Sequence, residues 1–125
     1  MNVPEDLHYT SDHEWVKVTG ATVRIGITDY AQDALGDVVF IQLPTAGASV
    51  STHDSFSEIE STKSVNDVYA PVAGTVTAIN DDLSSSPELL NTDPYGRGWI
   101  CEIEASEVDL DTLLTPAQYR ELIGA

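Results

Sequence analysis

The feature that most constrains this chain is a hairpin signature centred on Lys63. Before it, Ser55-Phe56-Ser57-Glu58-Ile59-Glu60 alternates polar with apolar residues; after it, Val65 to Ala70 is β-prone and stops at Pro71. Period-2 runs on either side of a short polar link read as two antiparallel strands. Lys63 therefore sits at or beside a tight turn, its side chain offered to solvent. A solvated turn lysine is the ordinary expectation. Three features argue for more. Lys17 is the only other lysine, the turn is small and hydroxyl-rich, and Glu60 sets a charge three residues before Lys63.

The rest of the chain reads as short strands with few helices. Glu14–Val18, a Thr19-Gly20 turn and Ala21–Ile27 form a hairpin. A cap at Thr28 or Asp29 opens a short helix carrying Tyr30, Ala31, Ala34 and Leu35, and Gly36 closes it as a C′ glycine. Asp37 to Leu43 is nearly all apolar and predicts a strand covered on both faces. Pro44-Thr45-Ala46-Gly47 and Pro71-Val72-Ala73-Gly74 each follow a β-prone run and precede a valine, Val50 or Val76, which hints at a duplicated hairpin unit. Thr75–Ile79 reads as a strand and Asn80–Ser85 as loop. Ser86-Pro87 opens one helical turn that carries Leu89 and Leu90 inward. Trp99–Glu104 is the last strand, with Trp99, Cys101 and Ile103 on one face. Ser106-x-x-Asp109 starts a short helical piece, and Thr115-Pro116-Ala117-Gln118 is a capping box.

This pattern predicts a mainly β fold, a flattened barrel or sandwich of two antiparallel sheets with short helices and a C-terminal helix. One domain spans residues 1–125, its core about 7–104 and its C-terminal helical segment about 106–123.

The formal charge of −16 argues against nucleic-acid or anionic-membrane binding, both of which need basic patches. It favours solubility and attraction to basic faces of partner proteins. The longest unbroken apolar run, Val38 to Ile41, is too short to span a bilayer. No basic n-region with an apolar core is visible near Met1, so the expected location is cytoplasmic, or the mitochondrial matrix had a transit peptide been removed. A lone Cys101 excludes an intrachain disulfide, and no Cys/His cluster has zinc spacing. Enzyme chemistry finds little support. No G-x-S-x-G elbow surrounds any serine between Ser49 and Ser64, no glycine-rich phosphate loop occurs, and His8, His13 and His53 lie in unrelated polar contexts that suit surface residues.

Several motifs carry a family resemblance. Glu60-Ser61-Thr62-Lys63-Ser64 with Asp67-Val68-Tyr69-Ala70-Pro71-Val72-x-Gly74 resembles the lipoyl-lysine hairpin of the glycine cleavage system H proteins. The likeness extends over His13-Glu14-Trp15, Gly26-Ile27-Thr28-Asp29-Tyr30-Ala31-Gln32, Leu35–Phe40, Ser86–Asn91 and Asp93–Gly96. It runs from about Leu7 to Leu122. The resemblance implies a monomeric, non-enzymatic carrier with lipoate bound covalently to Lys63. It also implies partners: a pyridoxal-phosphate glycine decarboxylase that loads the aminomethyl group of glycine, a folate-dependent aminomethyltransferase that removes it, and a dihydrolipoyl dehydrogenase that re-oxidises the arm. A lipoate-attaching enzyme would read Glu60 and Gly47, which stand three and sixteen residues before Lys63. Glu14 and Asp67 match the family's acidic positions in the cleft that shelters the loaded arm. For either residue alone a solvated surface acid is the alternative. The chain departs from the family in having Thr62 and Ser64 beside the lysine, and Asp12 where a serine commonly precedes His13.

Other readings fit part of this pattern. A biotin carrier would typically show methionine on both sides of the lysine. A lipoyl domain of a 2-oxoacid dehydrogenase would lack the His13-Glu14-Trp15 start and the C-terminal helices. A lipoyl-relay protein donating lipoate to other enzymes fits the same residues as the glycine carrier. A non-catalytic acidic β-sandwich that binds partners, with Lys63 unmodified, comes from a different class.

Overall fold

The computed structural model describes residues 1–105 and 107–125. Among the described residues, nine strands form two antiparallel sheets. β1 (His8–Tyr9), β2 (Glu14–Thr19) and β3 (Thr22–Ile27) come first, and α1 (Asp29–Leu35) follows. Next are β4 (Val38–Gln42), β5 (Ser49–Val50), β6 (Ser55–Ser61), β7 (Val65–Tyr69) and β8 (Gly74–Ile79). Two single turns, α2 (Asp82–Ser85) and α3 (Leu89–Thr92), precede β9 (Cys101–Glu104), and α4 (Pro116–Ile123) closes the chain. The larger sheet runs β1-β2-β3-β9-β8-β5 and the smaller β4-β6-β7. The architecture is thus the sandwich of the expected pair, with no closed barrel among the described residues. The two Pro-x-x-Gly turns feed β5 and β8, which pair with each other.

Local chemistry explains the boundaries. The Thr28 hydroxyl accepts from the Ala31 N–H and caps α1, and Gly36 ends that helix with its own N–H on the Gln32 carbonyl. The Thr115 side chain and Gln118 complete the capping box of α4, with Pro116 at its first turn. Asp109 caps a 3-10 turn at Leu110–Thr112; the Ser106 half of the expected start lies outside the described residues.

The structure corrects two expectations. Strand β4 is not covered on both faces, because a bulge between Val38 and Phe40 turns Val39 and Phe40 outward together. The segment Asn80–Ser85 is not all loop: α2 forms because fully buried Leu83 anchors it and the Asn80 side chain accepts from the Asp82 N–H.

Two apolar clusters lie among the described residues. The larger fills the space between the sheets and includes Ile25, Ile59, Val76, Leu90, Cys101 and Ile103. Cys101 is fully buried there, and burial pushes its thiol up to about 12, the state of an inert packing residue. The smaller joins the two ends of the chain through Val3, Leu7, Tyr9, Trp15 and Tyr119. Tyr9 and Tyr119 stack with ring centroids 4.6 Å apart. The Trp15 indole N–H donates to the Pro94 carbonyl at 2.8 Å. Gly26 is required beside it, since a Cβ there would fall 2.5 Å from that indole.

Candidate functional site

Strands β6 and β7 leave Thr62-Lys63-Ser64 as the hairpin tip. The Ser61 hydroxyl accepts from the Lys63 and Ser64 N–H groups at 3.2 and 3.1 Å, and the Ser61 N–H donates to the Ser64 carbonyl at 2.8 Å. A side-chain hydroxyl taking local backbone donors stabilises a tight turn, which is why a serine-rich link folds as one here. Lys63 is exposed.

The tip rests on the turn between α1 and β4. The Thr62 N–H donates to the Asp37 carbonyl at 3.0 Å. The Lys63 stem lies over Gly36, where an added Cβ would stand 3.2 Å from Lys63 Cε. Gly36 has φ 78° and ψ −159°, a backbone region essentially reserved for glycine. Asn91 of α3 fastens this turn in turn. Its amide donates to the Gly36 carbonyl at 2.8 Å and to Gln32 at 3.1 Å, and its oxygen accepts from the Val38 N–H at 2.9 Å. The exposed lysine therefore stands on a braced base.

Beside the tip lies a cavity of about 230 Å³. Its floor includes Ile27, Leu35, Ile59 and Val68; Ser64 borders it on the hairpin side, and Asp12, Glu14 and Asp67 are among its lining residues. The sequence-matched pair Glu14 and Asp67 thus line one space, but in different states. Asp67 is exposed and accepts from the Ser55 hydroxyl at 2.9 Å. Glu14 is only 2% exposed, so the solvated alternative fails for it. Its carboxylate accepts from the Thr10 hydroxyl at 2.9 Å and the Tyr69 N–H at 3.1 Å. Burial pushes its pKa up to about 7, against the pull of those two donors, and Asp12 adds to the rise.

Glu60 and Gly47 stand apart from this cavity. Glu60 is exposed on β6. Gly47 belongs to the turn before β5, with φ 88° and its N–H on the Val76 carbonyl at 2.7 Å, and so serves the larger sheet. Its left-handed backbone gives a structural reason for glycine there.

Three supports were hidden from the sequence reading: Thr10, the Tyr69 N–H and Tyr119. The Tyr119 hydroxyl lies 2.7 Å from Thr28 Oγ1 and 2.9 Å from His13 Nδ1. One group of α4 thus ties the start of α1 to the His13-Glu14-Trp15 segment. His13 is half-buried against Tyr30, and burial pushes its pKa below the ordinary value, so it is no freely solvated surface histidine. The only sequence signal for Tyr119 was its place on the apolar face of a well-capped helix.

A β-sandwich that offers one lysine at a hairpin tip, beside an apolar cavity edged with carboxylates, has the build of a carrier for a covalently attached arm. Comparison with known proteins names the particular kind. The family model for the glycine cleavage H-protein matches residues 7–125, and the chain belongs to that family. It is 61% identical over 107 residues to the glycine cleavage system H protein of Mycobacterium avium, covering 85% of this chain and 81% of that one. With the counterpart from Mycolicibacterium smegmatis it shares 58% identity over 126 residues, covering 97% and 96%. A crystal structure of a glycine cleavage system H protein from Mycobacterium marinum superposes with a TM-score of 0.91 at 42% identity, over 98% of this chain and all of that one. Among the described residues, no helix is long and apolar enough to cross a membrane.

Proposed function

We propose that Lys63 carries lipoate, and that the chain shuttles the aminomethyl group of glycine from glycine decarboxylase to aminomethyltransferase before dihydrolipoyl dehydrogenase re-oxidises it. The observation that carries this reading is the exposed Lys63 on a braced turn, next to a cavity whose lining suits such an arm. Lipoate, when bound, supplies the disulfide that takes up and gives back the cargo and its two electrons.

The protein's own residues handle placement. Ser61 and the Asp37 carbonyl hold the tip so that Lys63 stays exposed over the Gly36 turn. Ile27, Leu35, Ile59 and Val68 offer an apolar bed for an aliphatic chain, and water is poorly competitive there. Glu14, Asp67 and Asp12 stand where a primary ammonium can find charge-assisted hydrogen bonds. A neutral group of the same size gains nothing from those carboxylates, so the lining favours charged cargo over an empty arm. Glu60, exposed three residues before Lys63, is the mark we assign to the lipoate-attaching enzyme; Gly47 would act with it.

Intact-mass measurement of the protein made with lipoate and a lipoate-attaching enzyme tests the assignment. One lipoyl group should be added to the wild type and none to Lys63→Ala. A lipoyl mass that persists in Lys63→Ala would place the modification elsewhere and end the reading.

A further inference from the structure

The outer face of the smaller sheet carries an apolar surface that the fold does not use. The bulge in β4 sends both Val39 and Phe40 outward, 54% and 53% exposed, where regular alternation would bury one of them. Strand register then sets Phe40 opposite Glu60, and Glu60 opposite Val65, which is 56% exposed. The result is a row across three strands: Phe40, Glu60, Val65, with Val39 at its side. The next row along β6 is polar, Gln42, Glu58 and Asp67. The other large exposed apolar residues, Met1, Leu110 and Leu122, are scattered over the terminal segments.

We propose that this face is the docking surface for the enzyme that acylates Lys63, and that the enzyme meets it with an apolar patch built around one cationic side chain. The inference rests on Lys63 being the attachment lysine. Two facts select the occupant. The row ends two residues from Lys63, so a protein whose active site reaches the lysine amine also covers Val65 and Glu60. Glu60 has apolar neighbours on both sides, so seating a partner strips water from its carboxylate, and an arginine or lysine is the donor whose charge best offsets that loss. A second copy of this chain is a poor candidate, because each copy brings a formal charge of −16 and a carboxylate at the same place. Reading Glu60 is therefore inseparable from packing on Phe40 and Val65.

The test is the concentration dependence of lipoylation, followed by intact mass with the lipoate-attaching enzyme, lipoate and ATP. Phe40→Ser, Val65→Thr and Glu60→Gln should each lower kcat/KM by about ten-fold or more, carried by KM. Leu122→Ser, equally exposed but remote in sequence and on α4, should match wild type. Thermal unfolding checks that each variant is folded, and the near-isosteric Val65→Thr keeps the test decisive should Phe40→Ser be destabilised. Wild-type acylation at Lys63 with unchanged KM in Phe40→Ser and Val65→Thr would overturn the docking face alone. A wild-type protein left unacylated would remove the Lys63 reading, and the docking face with it. Sedimentation showing a wild-type dimer that Phe40→Ser dissociates would assign the face to self-association and overturn the proposal.

Discussion

At the scale of single residues, Glu14 carries the most chemistry. A carboxyl group that ionises near 4.5 in the open chain and near 7 once folded binds its proton more tightly in the folded state. Stability is then unpenalised below about 4.5, where both states hold the proton, falls as pH rises toward 7, and bears the full cost above it. The cost is on the order of 3 kcal/mol. Denaturant unfolding at about pH 5 and about pH 8 should show Glu14→Gln gaining on wild type at the higher pH by up to that amount. Parallel slopes would assign the titration to another group. If Glu14 receives the ammonium as proposed, it does so in the ionised form, so docking should tighten as pH rises through 7. The turn that holds Lys63 was legible in the sequence because its chemistry is local. The state of Glu14 was not, because the groups that bury and satisfy it come from segments as far away as Tyr69.

Among the elements, the join between α1, β4 and α3 decides how firmly the hairpin tip is held. Asn91 saturates the Gly36 carbonyl and the Val38 N–H, and the Asp37 carbonyl between them accepts from Thr62. Asn91→Ala leaves these backbone groups without their partner and should cost about 1–3 kcal/mol. Hydrogen exchange should report it locally, through reduced protection of the Thr62 amide. Protection unchanged at Thr62 would show that the tip holds itself. The extent of α1 was readable, its cap narrowed to Thr28 or Asp29, since a capping side chain and Gly36 are signals that act within one turn. β4 was not, because a bulge is a matter of register with β6 and leaves a run of apolar residues looking like a buried strand. α2 was missed for a related reason: Leu83 anchors it by long-range burial, while its polar neighbours read as loop. The paired sheets were legible because alternation and turn residues recur along the whole chain.

Over the whole molecule, charge sets the terms of encounter. With 21 acidic residues against five basic ones, the surface field should speed association with basic partner faces and be screened by salt. The apparent affinity for glycine decarboxylase should fall between low and moderate ionic strength. A flat response would mean that the charge serves solubility alone. Charge of one sign also repels a second copy, which bears on the smaller sheet, because β4 and β7 are both its margins. At one margin the guard is more specific. The Tyr69 N–H, which could recruit a foreign strand, is already taken by the Glu14 side chain. Open sheet margins seed aggregation when their backbone donors are free. The carboxylate proposed to receive an ammonium thus also caps a backbone donor at the β7 margin, and a variant that trims it sets that donor free for a foreign strand.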